Sequence, residues 1–241
     1  MDKLFADELN NILKNDQIKY KEPMSRHTSL HIGGEADYMV LPSSVEQIRQ
    51  VILLCKKHSM PYYVMGNGSN LLVSDLGYRG LILKLGENFS EITIEEDGIV
   101  KAQAGVLLSK LSHAIAENSL TGFEFAAGIP GTLGGAVTMN AGAYGGEMKQ
   151  CLISATVIDS QGEIRVLDNE DLKLGYRSSI LQNSDLCVLD ATMKFSLGDK
   201  QEIKNKIREL NYLRQLKQPL DQYSAGSTFK RPEGYFAGGS L

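Results

Sequence analysis

The sequence contains no tryptophan, only 6 prolines and only 3 cysteines among 241 residues. Cys55, Cys151 and Cys187 are odd in number and far apart, with no Cys-x-x-Cys pair. That spacing excludes a disulfide scaffold and a zinc ribbon and suits a reducing compartment. A basic surplus is also missing. With 25 Lys+Arg against 29 Asp+Glu the net charge is -4, the wrong sign for a dedicated nucleic-acid binder. The longest apolar run, at residues 51–55, falls far short of the roughly 20 residues of a membrane helix. Asp2, Lys3, Asp7 and Glu8 break up the first ten residues, so no signal-peptide core is read there and a cytoplasmic location is expected. Hydrophobic residues at 42% and charged residues at 22% are ordinary for a globular chain and exclude disorder. Glycine is the one abundance, with 24 residues.

Patterning predicts an α+β fold. Residues 4–13 read as an amphipathic helix, and 36–41 as a strand stopping at Pro42. Ser43 with Glu46 three residues on forms a capping box, and Ile48, Val51, Ile52 and Cys55 follow at helical spacing. Pro61 ends that helix, and residues 62–65 read as a strand. Residues 91–96 and 99–103 flank Asp97-Gly98, a two-residue hairpin signal. Leu107, Leu111, Ala114 and Ile115 share one face of a helix over 106–118. A second hairpin is expected around Gly162, between residues 155–159 and 163–167, and residues 187–195 add a strand. Ile203, Ile207, Leu210 and Leu213 stripe a helix over 202–213.

Three stretches carry candidate chemistry. Gly66-Asn67-Gly68-Ser69-Asn70-Leu71-Leu72 follows a predicted strand. Glycine there allows close backbone approach, so successive N–H groups can converge on an anion, with Ser69 and Asn70 adding side-chain donors. It is neither a Walker loop nor Gly-x-Gly-x-x-Gly, and a tight turn between strands is the competing reading. Eight of the 24 glycines fall within residues 122–146. Glycine costs about 0.5–1 kcal/mol per position in regular structure, so this density points to a backbone cradle for a large flat or phosphorylated ligand, with a structural crossover as the alternative. The third stretch is polar: Tyr176-Arg177-Ser178-Ser179, then residues 224–232. Arg177 suits a carboxylate, Ser227 sits in a turn-like context, and Lys230 and Arg231 suit phosphates. Singly, each reads as a surface charge or a helix cap.

Together and in order, these stretches resemble the bacterial UDP-N-acetylenolpyruvoylglucosamine reductase family. Thr28-Ser29-Leu30-His31-Ile32-Gly33-Gly34-Glu35-Ala36-Asp37 looks like the family's opening motif. Residues 66–72 and 124–147 match its two FAD segments, and residues 176–179 and 225–232 its active-site motifs. The first loop alone would mark only the broader vanillyl-alcohol-oxidase-like FAD fold. The resemblance implies a two-unit FAD-binding fold of that type, over 1–85 and 86–197, followed by an incomplete α+β substrate domain at 198–241. FAD would lie along Gly66, Asn67, Gly68, Ser69, Asn70 and Leu71, and along Gly128, Ile129, Pro130, Gly131, Thr132, Gly135, Asn140, Ala141 and Gly142.

The resemblance also implies the chemistry. NADPH reduces the flavin, and the hydride passes to the methylene carbon of UDP-N-acetylglucosamine enolpyruvate, giving the peptidoglycan precursor UDP-N-acetylmuramate. Arg177 would stabilise the charge developing on the substrate carboxylate, and Ser227 would protonate the α-carbon. Tyr176, Lys217, Lys230 and Arg231 would contact the sugar and diphosphate. The short step from residue 179 to the next strand leaves no room for the tyrosine-bearing insertion of one branch, so the chain resembles the shorter branch. Tyr223 stands where that branch often has proline, with little consequence expected. The family pattern continues well past Phe236-Ala237-Gly238 and includes a glutamate that handles the substrate carboxylate with Arg177. A chain ending at Leu241 is therefore expected to be a truncation, a gene fragment or an incompletely recorded sequence. Two alternatives follow: a flavin-binding fragment without turnover, or an FAD oxidase of the broader fold.

Overall fold

The computed structural model describes residues 3–218, 222–224 and 226. Helix α1 (Lys3–Ile12) buries Phe5 and Leu9, one turn apart, against the first sheet and α2. That sheet is built from β1 (Ile18–Pro23), β2 (Glu35–Val40), β3 (Tyr62–Met65) and β4 (Tyr78–Lys84) in the order β1-β2-β4-β3. Strand β1 runs antiparallel to β2, and the remaining pairs are parallel. Helix α2 (Val45–Lys57) connects β2 to β3 and buries Ile48, Val51, Ile52 and Cys55 as their spacing predicts.

The cap of α2 sits one residue later than the pattern indicated. Ser44, not Ser43, is the N-cap, accepting from the Gln47 N–H at 3.2 Å, while the Gln47 side chain accepts from the Ser43 N–H at 2.8 Å. Two strands of this sheet escaped the pattern. β1 is an edge strand rich in Lys and Glu, and β4 carries the short continuous run Leu81-Ile82-Leu83, which has no alternation to read.

A five-stranded antiparallel sheet follows. Its strands are β5 (Ile92–Ile94), β6 (Ile99–Gln103), β10 (Leu152–Ile158), β11 (Ile164–Asp168) and β12 (Cys187–Lys194), in the order β11-β10-β12-β6-β5. Smaller pieces lie between them: α3 (Leu108–Glu117), β7 (Leu120–Thr121), α4 (Leu133–Met139), β8 (Gly142–Ala143) and β9 (Gly146–Glu147), with β13 (Ser196–Leu197) after β12. Asp97 and Gly98 both take positive φ, as the β5–β6 turn requires. The buried face of α3 is Leu108, Leu111, Ile115 and Ala116. Leu107, expected on that face, caps the helix instead and is 37% exposed.

Helix α5 (Lys200–Lys217) starts earlier and ends later than its stripe suggested, with Asp199 accepting from the Glu202 N–H at 2.8 Å. Its Ile203 and Ile207 pack on Ala116 and Ala127. One apolar cluster joins the two sheets, running from Tyr38, Leu81 and Leu83 to Val100, Val157 and Met193. All three cysteines are free and buried, and burial pushes each thiol up to about 12. Among the described residues no helix is long and apolar enough to cross a membrane.

Candidate active site

The two glycine segments meet. Residues 66–70 leave the end of β3, and the Asn67 side chain donates to the Pro130 carbonyl at 3.1 Å. Gly66 lies so close to Thr132 that a Cβ there would overlap the Thr132 hydroxyl. Asn70 Nδ2 reaches Met139 Sδ at 3.9 Å, tying the loop to the far end of α4. Gly68, at φ +67°, presses on the His27 carbonyl oxygen, and the Ser29 N–H donates to the Gly68 carbonyl at 3.2 Å. The opening motif thus braces the first loop from beneath.

These contacts divide the glycines into two kinds. Gly66 and Gly68 permit chain-to-chain approach, whereas at Gly131 and Gly135 a Cβ would find nothing nearer than 3.7 Å. At Gly86 it would meet nothing within 4 Å. Backbone left open in this way is accessible to a ligand.

Between the segments lies a cavity of about 270 Å³ lined by Gly66, Asn67, Lys84, Gly105, Leu107 and Thr132, among others. Lys84 closes β4, beside Met65 in the parallel register, and its Nζ lies 2.9 Å from His27 Nδ1. His27 Nε2 in turn lies 2.9 Å from Glu22 Oε1. Burial lowers the Lys84 pKa, with Lys19 adding to the effect. Burial also lowers His27, against the opposing effect of its hydrogen bond to Glu22. For Glu22, burial acts upward, but the His27 hydrogen bond and Lys19 outweigh it and the carboxyl ends below its ordinary range.

A second cluster surrounds Arg177. Gly175 and Ser178 exchange both backbone hydrogen bonds, at 3.0 and 3.2 Å, closing a tight turn with Tyr176 and Arg177 at its tip. Arg177 takes φ 52°, a left-handed conformation that costs a side-chain-bearing residue roughly 1–2 kcal/mol. Its guanidinium donates to the Gly142 carbonyl at 3.1 Å and lies 5.9 Å from the Tyr176 ring centre. The turn is held by Asn140, which is 2% exposed. The Asn140 amide donates to the Gly175 carbonyl (3.0 Å) and to Glu147 Oε2 (3.1 Å), and its oxygen accepts from the Lys149 N–H (2.9 Å).

Several residues expected to line a cofactor also make contacts within the protein. The Asn140 side chain is fully engaged, and Ala141 uses both its N–H and its carbonyl within the chain. Leu71 packs on the Met24, Met39, Met65 and Ile82 cluster, and Ile129 on the main core. Gly128 abuts Asn211 and Arg214 of α5. Lys217 is exposed at the end of α5, and Tyr176 is 56% exposed. Ser227, Lys230 and Arg231 lie outside the described residues.

Three polar groups were missed by sequence reading. Lys84 and His27 have no motif of their own. Arg214 stands one helical turn before Lys217, half-buried, its pKa lowered by burial, and that spacing was a readable signal. Tyr223, expected to matter little, stacks on His31 of the opening motif with ring centres 4.1 Å apart.

Comparison with known proteins places these features in a family. A family described as FAD binding domain matches residues 36–168. A UDP-N-acetylenolpyruvoylglucosamine reductase of Lachnoclostridium phytofermentans is 51% identical, over 99% of this chain and 78% of its own length. The protein of that name from Clostridium tetani is 50% identical over 97% of this chain and 76% of its own length. The crystal structure of UDP-N-acetylenolpyruvylglucosamine reductase from Thermus caldophilus superposes with a TM-score of 0.79 at 33% identity, covering 91% of this chain and 77% of that one. An alkyldihydroxyacetonephosphate synthase superposes at 0.61 with 17% identity, over 82% of this chain and 41% of that one, a likeness of fold alone.

Proposed function

Since the chain belongs to the UDP-N-acetylenolpyruvoylglucosamine reductase family, we propose that it holds FAD between its two glycine segments and presents Arg177 to the substrate. The reaction is the NADPH-driven reduction of UDP-N-acetylglucosamine enolpyruvate to UDP-N-acetylmuramate, a step of peptidoglycan precursor synthesis. The observation that carries the reading is the meeting of residues 66–70 with residues 130–139 beside a cavity, with open space over Gly131 and Gly135. Those residues fit a dinucleotide. Asn67 and Ser69 offer polar side chains, and the open backbone at Gly131 and Gly135 admits close approach. Bound FAD would supply hydride carriage from NADPH to the enolpyruvyl methylene carbon.

The chain's own residues supply orientation and charge. The Arg177 guanidinium is aimed by its turn and by the Gly142 carbonyl, and it is the group to stabilise negative charge growing on the substrate carboxylate. Tyr176 beneath it and Lys217 on α5 are assigned to the sugar and diphosphate, together with Lys230 and Arg231. Ser227 is assigned the proton delivered to the α-carbon. The unit boundaries at 85 and 197 are supported by the sheets, drawn from 18–84 and 92–194. A cytoplasmic site of action is supported by the three free, buried thiols.

Arg177→Ala tests the assignment by separating the two half-reactions. Flavin reduction by NADPH should persist, while transfer to the enolpyruvyl substrate should fall by about 100-fold or more, as for loss of one charge-stabilising donor. Stopped-flow flavin absorbance reads both steps. Undiminished reoxidation by substrate in the variant would remove Arg177 from the chemistry.

A further inference from the structure

The chain Glu22–His27–Lys84 has no part in the site as assigned so far, yet it ends at the cavity. A lysine ammonium has no lone pair, so Lys84 must donate to His27 Nδ1 across the 2.9 Å contact. That fixes the imidazole proton on Nε2, where it is donated to Glu22 Oε1 at 2.9 Å. The ammonium is therefore oriented by the carboxylate without touching it. One of its three N–H donors is used, and the other two have no partner among the described residues. Glu22 does not need Lys84 for neutralisation, because Lys19 lies 3.7 Å from its carboxylate.

We propose that Lys84 is a phosphate anchor of the dinucleotide site, its ammonium taking a phosphate oxygen of the FAD diphosphate. This rests on reading the glycine segments as the FAD site. Three features support it. The β3–β4 register sets Lys84 beside Met65, immediately before the first glycine loop, so an anion on that loop falls within its reach. Lys84 is half-buried, and a partly desolvated cation gains more from an anionic partner than an exposed one does. The same cavity wall carries Glu87 and Asn88, whose side-chain oxygens suit ribose hydroxyls. The cavity thus takes the nucleotide half of the cofactor, with Lys84 as its charged contact.

The test is FAD affinity of the flavin-stripped full chain, read by quenching of flavin fluorescence across a range of KCl concentrations. Lys84→Met should weaken FAD binding by about 10- to 100-fold, the loss of one charge-assisted hydrogen bond, and flatten its salt dependence. Lys84→Arg should restore most of the affinity and the salt dependence. Should Lys84→Met fail to fold, Lys84→Gln makes the same comparison. Equal affinity and equal salt dependence in the methionine or glutamine variant would overturn the proposal, as would salt-independent FAD binding by the unaltered chain. Failure of the unaltered chain to take FAD at all would overturn the cofactor placement itself, a different result from loss of the lysine effect alone.

Discussion

Asn140→Ala removes the residue on which the Arg177 turn hangs. Three hydrogen bonds disappear from a side chain that is 2% exposed: to the Gly175 carbonyl, to Glu147 and from the Lys149 N–H. Each is worth about 1 kcal/mol net, and a buried partner left without a replacement costs about 1–3 kcal/mol. Asn140 also sits at φ 42°, where alanine is strained by about 1 kcal/mol more than glycine. We expect a loss of about 4 kcal/mol, a large share of the roughly 5–15 kcal/mol that holds a domain folded. Asn140→Gly should recover about 1 kcal/mol of that loss by relieving the backbone. Asn140→Asp should do worse than alanine, since it sets a carboxylate against Glu147 and the Gly175 carbonyl. Urea denaturation of the flavin-free protein measures all three, with an unchanged m-value as the control. A flavin-free alanine variant as stable as the parent, but with weakened flavin binding, would refute the reasoning and return Asn140 to the cofactor.

Gly68→Ala places a Cβ on the His27 carbonyl oxygen at a φ of +67°, so the first loop must move. The purified variant should retain flavin at well under half the parent ratio, measured by absorbance, and a full complement would count against the loop's role. Acid sensitivity follows from the buried pair. His27 is held below its ordinary 6.5, so between its folded value and 6.5 the unfolded chain binds more protons and stability falls as pH drops. Glu22, held below 4.5, adds a further loss as pH falls through its folded value. The urea midpoint of the flavin-free protein should therefore fall on acidification below 6.5, and His27→Gln should flatten the upper part of that fall. A midpoint profile identical in parent and variant would contradict the assignment.

Local periodicity made much of the fold legible. The stripe Ile48, Val51, Ile52 and Cys55, the Asp97-Gly98 turn and the Ile203, Ile207 and Leu210 face are each decided by neighbours within a few residues, which is the range over which a sequence pattern acts. The two glycine segments were legible from composition, and Tyr176-Arg177-Ser178-Ser179 as a polar stretch but not as a turn. What stayed hidden depends on partners distant in the chain. β4 has no alternation because it is covered on both faces, and α4 lies in a glycine-rich stretch that disfavours helix on its own.

By itself the sequence determined which residue types this protein brings to its site and in what order, because motif and spacing are properties of the chain. Only the tertiary structure decided what each residue does there. It set Gly66 and Gly68 against the chain and left Gly131 and Gly135 open. It set the Asn140 amide against the Gly175 carbonyl of the Arg177 turn. It also assembled Glu22, His27 and Lys84 from two strands and the turn after β1. A hydrogen bond is chosen by distance and angle among groups that only folding brings together, and no local pattern encodes that choice.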